Sequence, residues 1–193
     1  MIENQTTKTL NLFKEDTMNR IPAVDPSGAQ NQVAEIFAEI ESAFGKVPNL
    51  FRTYAHYPAL LEVNWRKVKS LMMQGELSRK AKEAIAVLVS KDNGCNYCVA
   101  AHEAALQAIG VSGEEIRAIE QDLEKADFDR KERALIEFAR KANIAPLRIE
   151  DDEVKALKSL GASDGEIVEA LGVMELFAGF NKFLDALQVE IDF

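Results

Sequence analysis

The sequence predicts an all-α protein, and three observations carry that prediction. Several segments place apolar residues at the i, i+3, i+4 and i+7 spacing of a helix face, strand signals are nearly absent, and typical start and stop residues flank the periodic runs. With 193 residues the chain can bury one good core and is slightly short for two ordinary domains. We expect a single helical domain over residues 21–193, and a polar N-terminal arm at residues 1–20 that could pack on a partner subunit.

Two long helices and a short one are predicted before residue 76. Ser27 is suited to cap the first helix, whose apolar face consists of Val33, Ile36, Phe37, Ile40 and Phe44. A short helical piece is expected after the interruption GKVPN at residues 45–49. Pro58 suits the first turn of the next helix, and Gly75 should end it. The apolar face of that helix consists of Leu61, Trp65, Val68 and Met72.

The later helices are marked by capping and terminating residues. Ser78 is suited to cap a helix that ends in a turn at Asp92–Gly94, and the segment with both cysteines follows. Asp129 and Ser163 are further candidate N-caps, while Gly110 and Gly161 are candidate terminators. The corresponding helices are predicted over residues 112–124, 129–144, 150–160 and 163–188.

An internal duplication is predicted from two similar segments. AALQAIGVSGEEI (104–116) and KALKSLGASDGEI (155–167) align without gaps and share an alanine, a leucine, a glycine, a serine, a glutamate and an isoleucine. The same offset of 51 residues pairs the capped helix starts SRK (78–80) and DRK (129–131). We interpret this as a duplicated helical unit, about 78–124 and 129–188, in which residues unique to one copy are candidates for chemistry. The four that interest us, with their counterparts, are Glu83 (Ala134), Cys95 (Pro146), Cys98 (Ile149) and His102 (Glu153).

Charge and composition exclude some classes of partner. The net charge of −9 argues against binding to nucleic-acid phosphates or to an anionic membrane surface. The first twenty residues have no apolar core behind basic residues, and no stretch approaches the length of a membrane span. We therefore expect a cytoplasmic protein, a setting in which an isolated cysteine pair is more often redox-active or metal-binding than a structural crosslink.

The segment GCNYCVAAH (94–102) contains both cysteines of the chain and one of its two histidines. A reversible redox pair, a metal site and a chance arrangement on a buried helix all remain open. If a helix begins near Cys95, then Cys98 lies one turn later on the same face and His102 follows it at i+4. The helix N-terminus and the histidine are expected to lower the pKa of a thiol placed there.

Glu83 lies in the apolar run AKEAIAVLV (81–89). Desolvation is expected to raise its pKa, which would suit a proton-transfer group near neutral pH. A short turn would fold the two helices antiparallel and bring Glu83 to His102 or to the thiols. A zinc site built from these two residues and the cysteines is chemically possible, although structural zinc usually draws on two separated ligand pairs. A solvated surface position for Glu83 and a plain packing role for His102 are the simpler alternatives.

The stretch EAIAVLVSKDNGCNYCVAAHEAAL (83–106) resembles the alkylhydroperoxidase D (AhpD) branch of the carboxymuconolactone decarboxylase-like family. The shared pattern is Glu, eleven residues, Cys-x-x-Cys, three residues, His. GKVPNLFRTYAHYPALLE (45–62) and GFNKFLDAL (179–187) also look like segments of the family's peroxidase-related members. The resemblance extends from about residue 20 onward and implies a duplicated, oligomeric helical bundle.

The resemblance also implies roles for the four site residues. Cys98 would be the nucleophile that attacks a hydroperoxide and becomes a sulfenic acid, and Cys95 would be the proton donor and the thiol that closes a Cys95–Cys98 disulfide. Glu83 and His102 would form a proton relay. An external thiol would act as reductant, and no cofactor or metal is expected. Some family members have a histidine where this chain has Tyr97, and a phenol near pKa 10 cannot shuttle protons as imidazole does.

The predicted function is therefore a thiol-dependent (alkyl hydro)peroxidase or disulfide redox enzyme with an antioxidant role. One alternative is a cofactor-free lyase of the carboxymuconolactone decarboxylase kind, in which Glu83 and His102 donate protons. The other is a helical oligomer that binds a small molecule and uses its thiols as a redox sensor.

Overall fold

The computed structural model describes residues 19–193. This part of the chain contains nine α-helices and three short 3₁₀ turns, which are joined by loops. No β-strand occurs within that part, so the all-α prediction is confirmed. The predicted arm at residues 1–20 lies, apart from its last two residues, outside the described range. The helices are α1 (Asn31–Phe44), α2 (Asn49–Tyr54), α3 (Pro58–Met72), α4 (Arg79–Asn93), α5 (Asn96–Ala108), α6 (Gly113–Gln121), α7 (Arg130–Ile144), α8 (Asp151–Ser159) and α9 (Asp164–Leu187).

Three predicted N-caps are confirmed by their hydrogen bonds. The side chains of Ser78, Asp129 and Ser163 each accept a hydrogen bond from the backbone N–H three residues later, at 3.1, 2.7 and 3.0 Å. Gly110 and Gly161 follow helices with φ of 86° and 90°, a conformation that glycine adopts without the steric cost that a Cβ imposes.

Other predicted boundaries differ from the structure. Ser27 does not cap α1, because it lies within a 3₁₀ turn at Pro26–Gly28 that the Asp25 carboxylate caps, and α1 begins only at Asn31. The predicted turn at Asp92–Gly94 is also shorter than expected. Helix α4 continues through Asn93, and Gly94 alone, with φ of 78°, ends it in the left-handed conformation. This abrupt ending places the next residue at the start of α5.

Helix α4 lies at the centre of the bundle and positions the site. Its residues 81–90 are all buried, and it packs against α5, α6, α7 and α9. Complete burial of a side chain such as Ile85 or Leu88 stabilises the fold by about 2 kcal/mol. The polar side chains within this buried run must therefore find partners inside the protein. Helix α9 packs against α4, α5 and α7, so residues far apart in the sequence meet in this part of the bundle.

Several features recur at the offset of 51 residues. Helices α4 and α7 both have 15 residues, and their capped starts are 51 residues apart. The Lys80 ammonium pairs with Glu115 at 2.6 Å, and at the same offset Lys131 pairs with Glu166 at 2.5 Å. These equivalent contacts agree with a duplicated unit, which stays a prediction from the sequence.

Candidate functional site

The two cysteines lie together at the N-terminus of α5. Cys95 is the N-cap residue, its backbone N–H donates to the Ser90 carbonyl at 2.9 Å, and Cys98 follows in the first turn. Both are free thiols, and both are buried, with exposed fractions of 0% and 2%. Their side chains lie close enough for each thiol to shift the pKa of the other. The site therefore contains a reduced cysteine pair that is shielded from solvent.

The pKa values of the two thiols are shifted in opposite directions. The Cys98 S–H donates to the Cys95 sulfur, which lowers the pKa of Cys95 although burial opposes ionisation. The pKa of Cys98 is raised, first because its proton is held in that hydrogen bond and then because of burial and the neighbouring Cys95 charge. The expectation of a lowered thiol pKa thus holds for Cys95 and is wrong for Cys98. The favoured ionised form of the pair has its thiolate on Cys95.

Polar side chains from α4 and α9 surround the sulfurs, and sequence reasoning missed them. Ser90 and Asn181 are both fully buried, and Asn181 Nδ2 donates to Ser90 Oγ at 3.0 Å. Both side chains favour the ionised form of Cys98 and so partly offset the rise in its pKa. The Asp185 carboxylate, one turn beyond Asn181 on α9, opposes the lowering of the pKa of Cys95. The position of Ser90 directly after the apolar run AVLV (86–89) could have indicated that its side chain is buried. The positions of the α9 residues depend on the tertiary fold.

Glu83 on α4 and His102 on α5 form a buried pair, and both belong to the same sequence motif as the two cysteines. Glu83 Oε2 lies 2.5 Å from His102 Nδ1, while Glu83 Oε1 accepts from Arg79 Nε at 2.6 Å. Glu83 is only 1% exposed, so the alternative of a solvated surface position is wrong. The Phe177 ring stands edge-on to the imidazole, with 4.2 Å between ring centroids. These contacts fix the orientation of His102, which lies one helical turn after Cys98.

The predicted rise in the pKa of Glu83 is wrong. Burial alone would raise the pKa, but the charges and hydrogen bonds of His102 and Arg79 together outweigh it, so the pKa of Glu83 is lowered. Sequence reasoning weighed the apolar surroundings and overlooked Arg79, which stands at i−4 from Glu83. Glu83 is therefore a carboxylate at neutral pH and can stabilise a protonated His102.

Tyr97, between the two cysteines, is bound to the C-terminal residues. Its hydroxyl donates to Asp192 Oδ1 at 2.8 Å and accepts from the Leu50 backbone N–H at 3.1 Å. The Phe193 ring packs edge-on against it, at 5.4 Å between centroids. Burial, followed by the Asp192 charge, raises the pKa of Tyr97. The phenol thus stays protonated and holds the chain end over the start of α5.

Two further findings concern metals and membranes. Within residues 19–193, no three His, Cys, Asp or Glu side chains are grouped so as to hold a metal ion. None of the helices described there combines the length and the apolar character that crossing a membrane requires.

Comparison with known proteins gives a family match and close structural relatives. Residues 55–141 match the sequence model of the Carboxymuconolactone decarboxylase family. An alkyl hydroperoxide reductase of Mycobacterium tuberculosis is 33% identical over 93 residues, which cover 48% of this chain and 27% of that protein. The chain thus spans about a quarter of the length of this relative.

Two crystal structures share the fold over nearly the whole chain. A peroxidase-related protein from Silicibacter sp. TM1040 is 26% identical, with a TM-score of 0.80, over 90% of this chain and 92% of its own. An AhpD-core peroxidase-related protein from Ralstonia eutropha JMP134 is 25% identical, with a TM-score of 0.81 and the same coverage. The resemblance seen in the sequence is confirmed, and the fold is AhpD-like.

Proposed function

We propose that this protein is a thiol-dependent hydroperoxide reductase, because residues 55–141 match the Carboxymuconolactone decarboxylase family and the chain has an AhpD-like fold. One observation carries the proposal: two adjacent free thiols are buried at the start of a helix whose next turn holds the Glu83–His102 pair. A peroxide bond is cleaved by a thiolate, and a second thiol one turn away can then close a disulfide.

The first step is the attack of Cys98 on the hydroperoxide. Cys95, as the thiolate of the pair, takes the proton of the Cys98 S–H that is hydrogen-bonded to it. The Cys98 thiolate then attacks the terminal peroxide oxygen, and the O–O bond breaks. The leaving alkoxide takes a proton from Cys95 and departs as the alcohol, which leaves a sulfenic acid on Cys98 and a thiolate on Cys95.

The second step is the closure of the disulfide. The Cys95 thiolate attacks the Cys98 sulfur, the S–O bond breaks, and hydroxide leaves. The Glu83–His102 pair can hold the proton that turns this hydroxide into water, because the Glu83 carboxylate stabilises an imidazolium beside it. Two equivalents of an external thiol then reduce the disulfide and are themselves oxidised to a disulfide. The proposal also includes homo-oligomeric assembly and an antioxidant role in the cytoplasm.

Trapping the sulfenic acid tests this proposal. A Cys95→Ser variant, which cannot close the disulfide, is treated with an organic hydroperoxide and then with dimedone. We expect a dimedone adduct on Cys98, located by peptide mass spectrometry, and no adduct in the Cys95→Ser/Cys98→Ser control. Absence of an adduct on Cys98, while the variant remains folded by circular dichroism, would contradict the proposal.

A second candidate is a cofactor-free lyase, and one observation favours it. The Glu83–His102 pair is built from α4 and α5 side chains and is fixed by Arg79 and Phe177, so its geometry does not depend on the thiols. Decarboxylation of a lactone acid that survives in the double Cys→Ser variant would support the lyase. Loss of all activity in that variant would support the thiol enzyme.

A further inference from the structure

The last turn of α4, residues 90–93, is bound to side chains of α7 and α9. The Arg140 guanidinium of α7 donates two hydrogen bonds to the Asp92 carboxylate, at 2.6 and 2.7 Å. A bidentate pair of this kind fixes both position and orientation. Because the turn directly precedes the segment with the cysteines, the contacts that fix the turn also fix where α5 begins.

Three asparagines, which we name the amide cluster, bind both ends of this turn: Asn93, Asn143 and Asn181. The Asn181 side chain on α9 is fully buried, and it donates to Ser90 Oγ at 3.0 Å and accepts from Asn93 Nδ2 at 2.9 Å. Asn93 and Asn143 exchange two further hydrogen bonds, at 3.0 and 3.3 Å. One buried amide therefore joins the first and the last residue of the turn, and it uses both its donor and its acceptor to do so.

The backbone connects this turn to the cysteines. The Ser90 carbonyl accepts a hydrogen bond from the Cys95 N–H at 2.9 Å, across Gly94, which ends α4 with φ of 78°. The Cys95 carbonyl in turn accepts from the Val99 N–H at 3.1 Å, the first bond of α5. Ser90 thus has the hydroxyl that Asn181 binds and also the carbonyl that positions Cys95.

The corresponding turn at the end of α7 differs. At the offset of 51 residues, Ser90 and Asn93 correspond to Lys141 and Ile144. Lys141 pairs with Glu153 at 2.7 Å, and Ile144 is 63% exposed. The two side chains that bind Asn181 are therefore particular to the turn that leads to the cysteines.

We propose that Asn181 is a positioning residue for the cysteine pair: through Ser90 and Asn93 it fixes the turn before α5 and keeps the two sulfurs placed for disulfide closure. Cys95 is the N-cap of α5 and Cys98 its third residue, a spacing that a disulfide can bridge when the backbone is held in place. A turn that is already fixed in the reduced protein leaves less conformational entropy for the disulfide to remove. The inference rests on the proposed function for the use of the disulfide, but the ease of its closure can be measured without any hydroperoxide.

The test is the equilibrium between the protein and dithiothreitol. Protein is mixed with reduced and oxidised dithiothreitol in a series of ratios, and each exchange moves two electrons and two protons between the dithiol and the Cys95–Cys98 pair. After denaturation and alkylation of free thiols, intact mass gives the disulfide fraction. In Asn181→Ala the equilibrium constant for disulfide formation should fall about threefold or more. Asn93→Ala, at an exposed position where folding is not at risk, should lower it about twofold.

A matched control and a change of pH separate positioning from other effects. Val173→Ala removes buried methyl groups from the same helix, eight residues before Asn181. It should lower the urea denaturation midpoint and leave the equilibrium constant unchanged. Because Ser90 and Asn181 also favour the ionised form of Cys98, the measurement is made at about pH 6 and about pH 8. A positioning effect changes the constant by the same factor at both, whereas an altered thiolate makes that factor depend on pH.

The possible outcomes separate this inference from the proposed function. A constant that is unchanged or raised in Asn181→Ala and Asn93→Ala, an equal fall in Val173→Ala, or a fall at only one pH would overturn the inference. A wild-type protein that forms no disulfide at any ratio would overturn it as well. If the constant falls as expected but no sulfenic acid forms in the dimedone experiment, the proposed function fails and the role of Asn181 stands.

Discussion

The two predicted units, related by the 51-residue offset, share helix caps and ion pairs and differ in the residues that we propose for the chemistry. Helices α4 and α7 begin with the same kind of cap. Each contributes a lysine that pairs with a glutamate in the first turn of the second helix that follows it. In the first unit α5 has 13 residues and carries the thiols, whereas the second unit has a 3₁₀ turn at Pro146–Arg148 and then the nine-residue α8. The helix caps and ion pairs occur in both units, whereas the cysteines occur only in the first.

The electrostatic difference is most evident at the counterparts of Glu83 and His102. In the first unit these residues form a buried pair, and the Arg79 guanidinium completes it. In the second unit Ala134 replaces the glutamate, and Glu153, the counterpart of His102, pairs with Lys141 at 2.7 Å near the surface. A buried ionic pair is costly to form unless its partners are well placed, and we take its presence in one unit alone as support for the role proposed for Glu83 and His102.

The largest expected effect is the loss of Cys98. Cys98→Ser should reduce hydroperoxide turnover by more than about 10³-fold, because the hydroxyl is a far weaker nucleophile than the thiolate. Turnover is measured by loss of hydroperoxide in the presence of a dithiol. The matched control is Ile149→Val, the counterpart in the second unit, which should retain wild-type turnover. Equal loss in both variants would show that the two units do not differ in the proposed way.

Next in size is the effect of removing the imidazole. His102→Gln should lower turnover by about 10²-fold or more, which is the usual contribution of a positioned proton-transfer group. The substitution keeps a polar side chain next to Glu83, so circular dichroism should show an unchanged helical content. Glu153→Gln, at the equivalent position of the second unit, should leave turnover within the error of the assay. A His102→Gln variant as active as wild type would remove this residue from the mechanism.

A change in stability is expected from Glu83→Ala, which makes the first unit resemble the second at this position. Removing one partner of a buried pair should cost about 3 kcal/mol, measured by urea denaturation at neutral pH. The pKa of Glu83 is lower in the folded protein than its ordinary value of 4.5, so its stabilising contribution is complete above that value. The contribution is lost as the pH falls through the folded pKa, so the difference from wild type should shrink in acid.

A constant difference across that acidic range would show that the loss comes from packing alone. Lys155→Ala, which removes an exposed ion pair with Asp152, is the control and should leave the denaturation midpoint nearly unchanged.

The smallest effects are expected at the repeated ion pairs. Lys80→Met and Lys131→Met should each lower the melting temperature only slightly, since both pairs are close to solvent. Lys80→Met should have the larger effect, because the Lys80 ammonium also donates to the Asp127 carbonyl and lies over the Phe128 ring. A larger loss at Lys131 would indicate that the two units carry unequal shares of the framework.

Most of the helical framework and part of the site could be predicted from the sequence. Helix caps such as Ser78 are local hydrogen-bonding features, and the meeting of Glu83 with His102 follows once two antiparallel helices are joined by a short turn. The exact start of α1 could not be predicted, because Ser27 is a plausible cap until the competing 3₁₀ turn at Asp25 is known.

The electrostatics of the site were harder to predict than its geometry. The direction of the pKa shift of Glu83 depends on the balance between burial, which raises the pKa, and the nearby charges and hydrogen bonds. Those of His102 and then of Arg79 together outweigh burial. Asn181 and Asp185 lie more than 80 residues beyond the cysteines, so only the packing of α9 against α5 brings them close enough to influence the thiol pKa values. Long-range contacts of this kind leave no local pattern in the sequence.

The most direct measurement is a titration of the reduced protein with one equivalent of an organic hydroperoxide, followed by intact mass and free-thiol determination. The proposed mechanism predicts that both thiols disappear, that the mass falls by the two hydrogens lost on disulfide formation, and that a dithiol reverses both changes. Two thiols still free after the hydroperoxide has been added, with an unchanged mass, would contradict a Cys95–Cys98 redox centre.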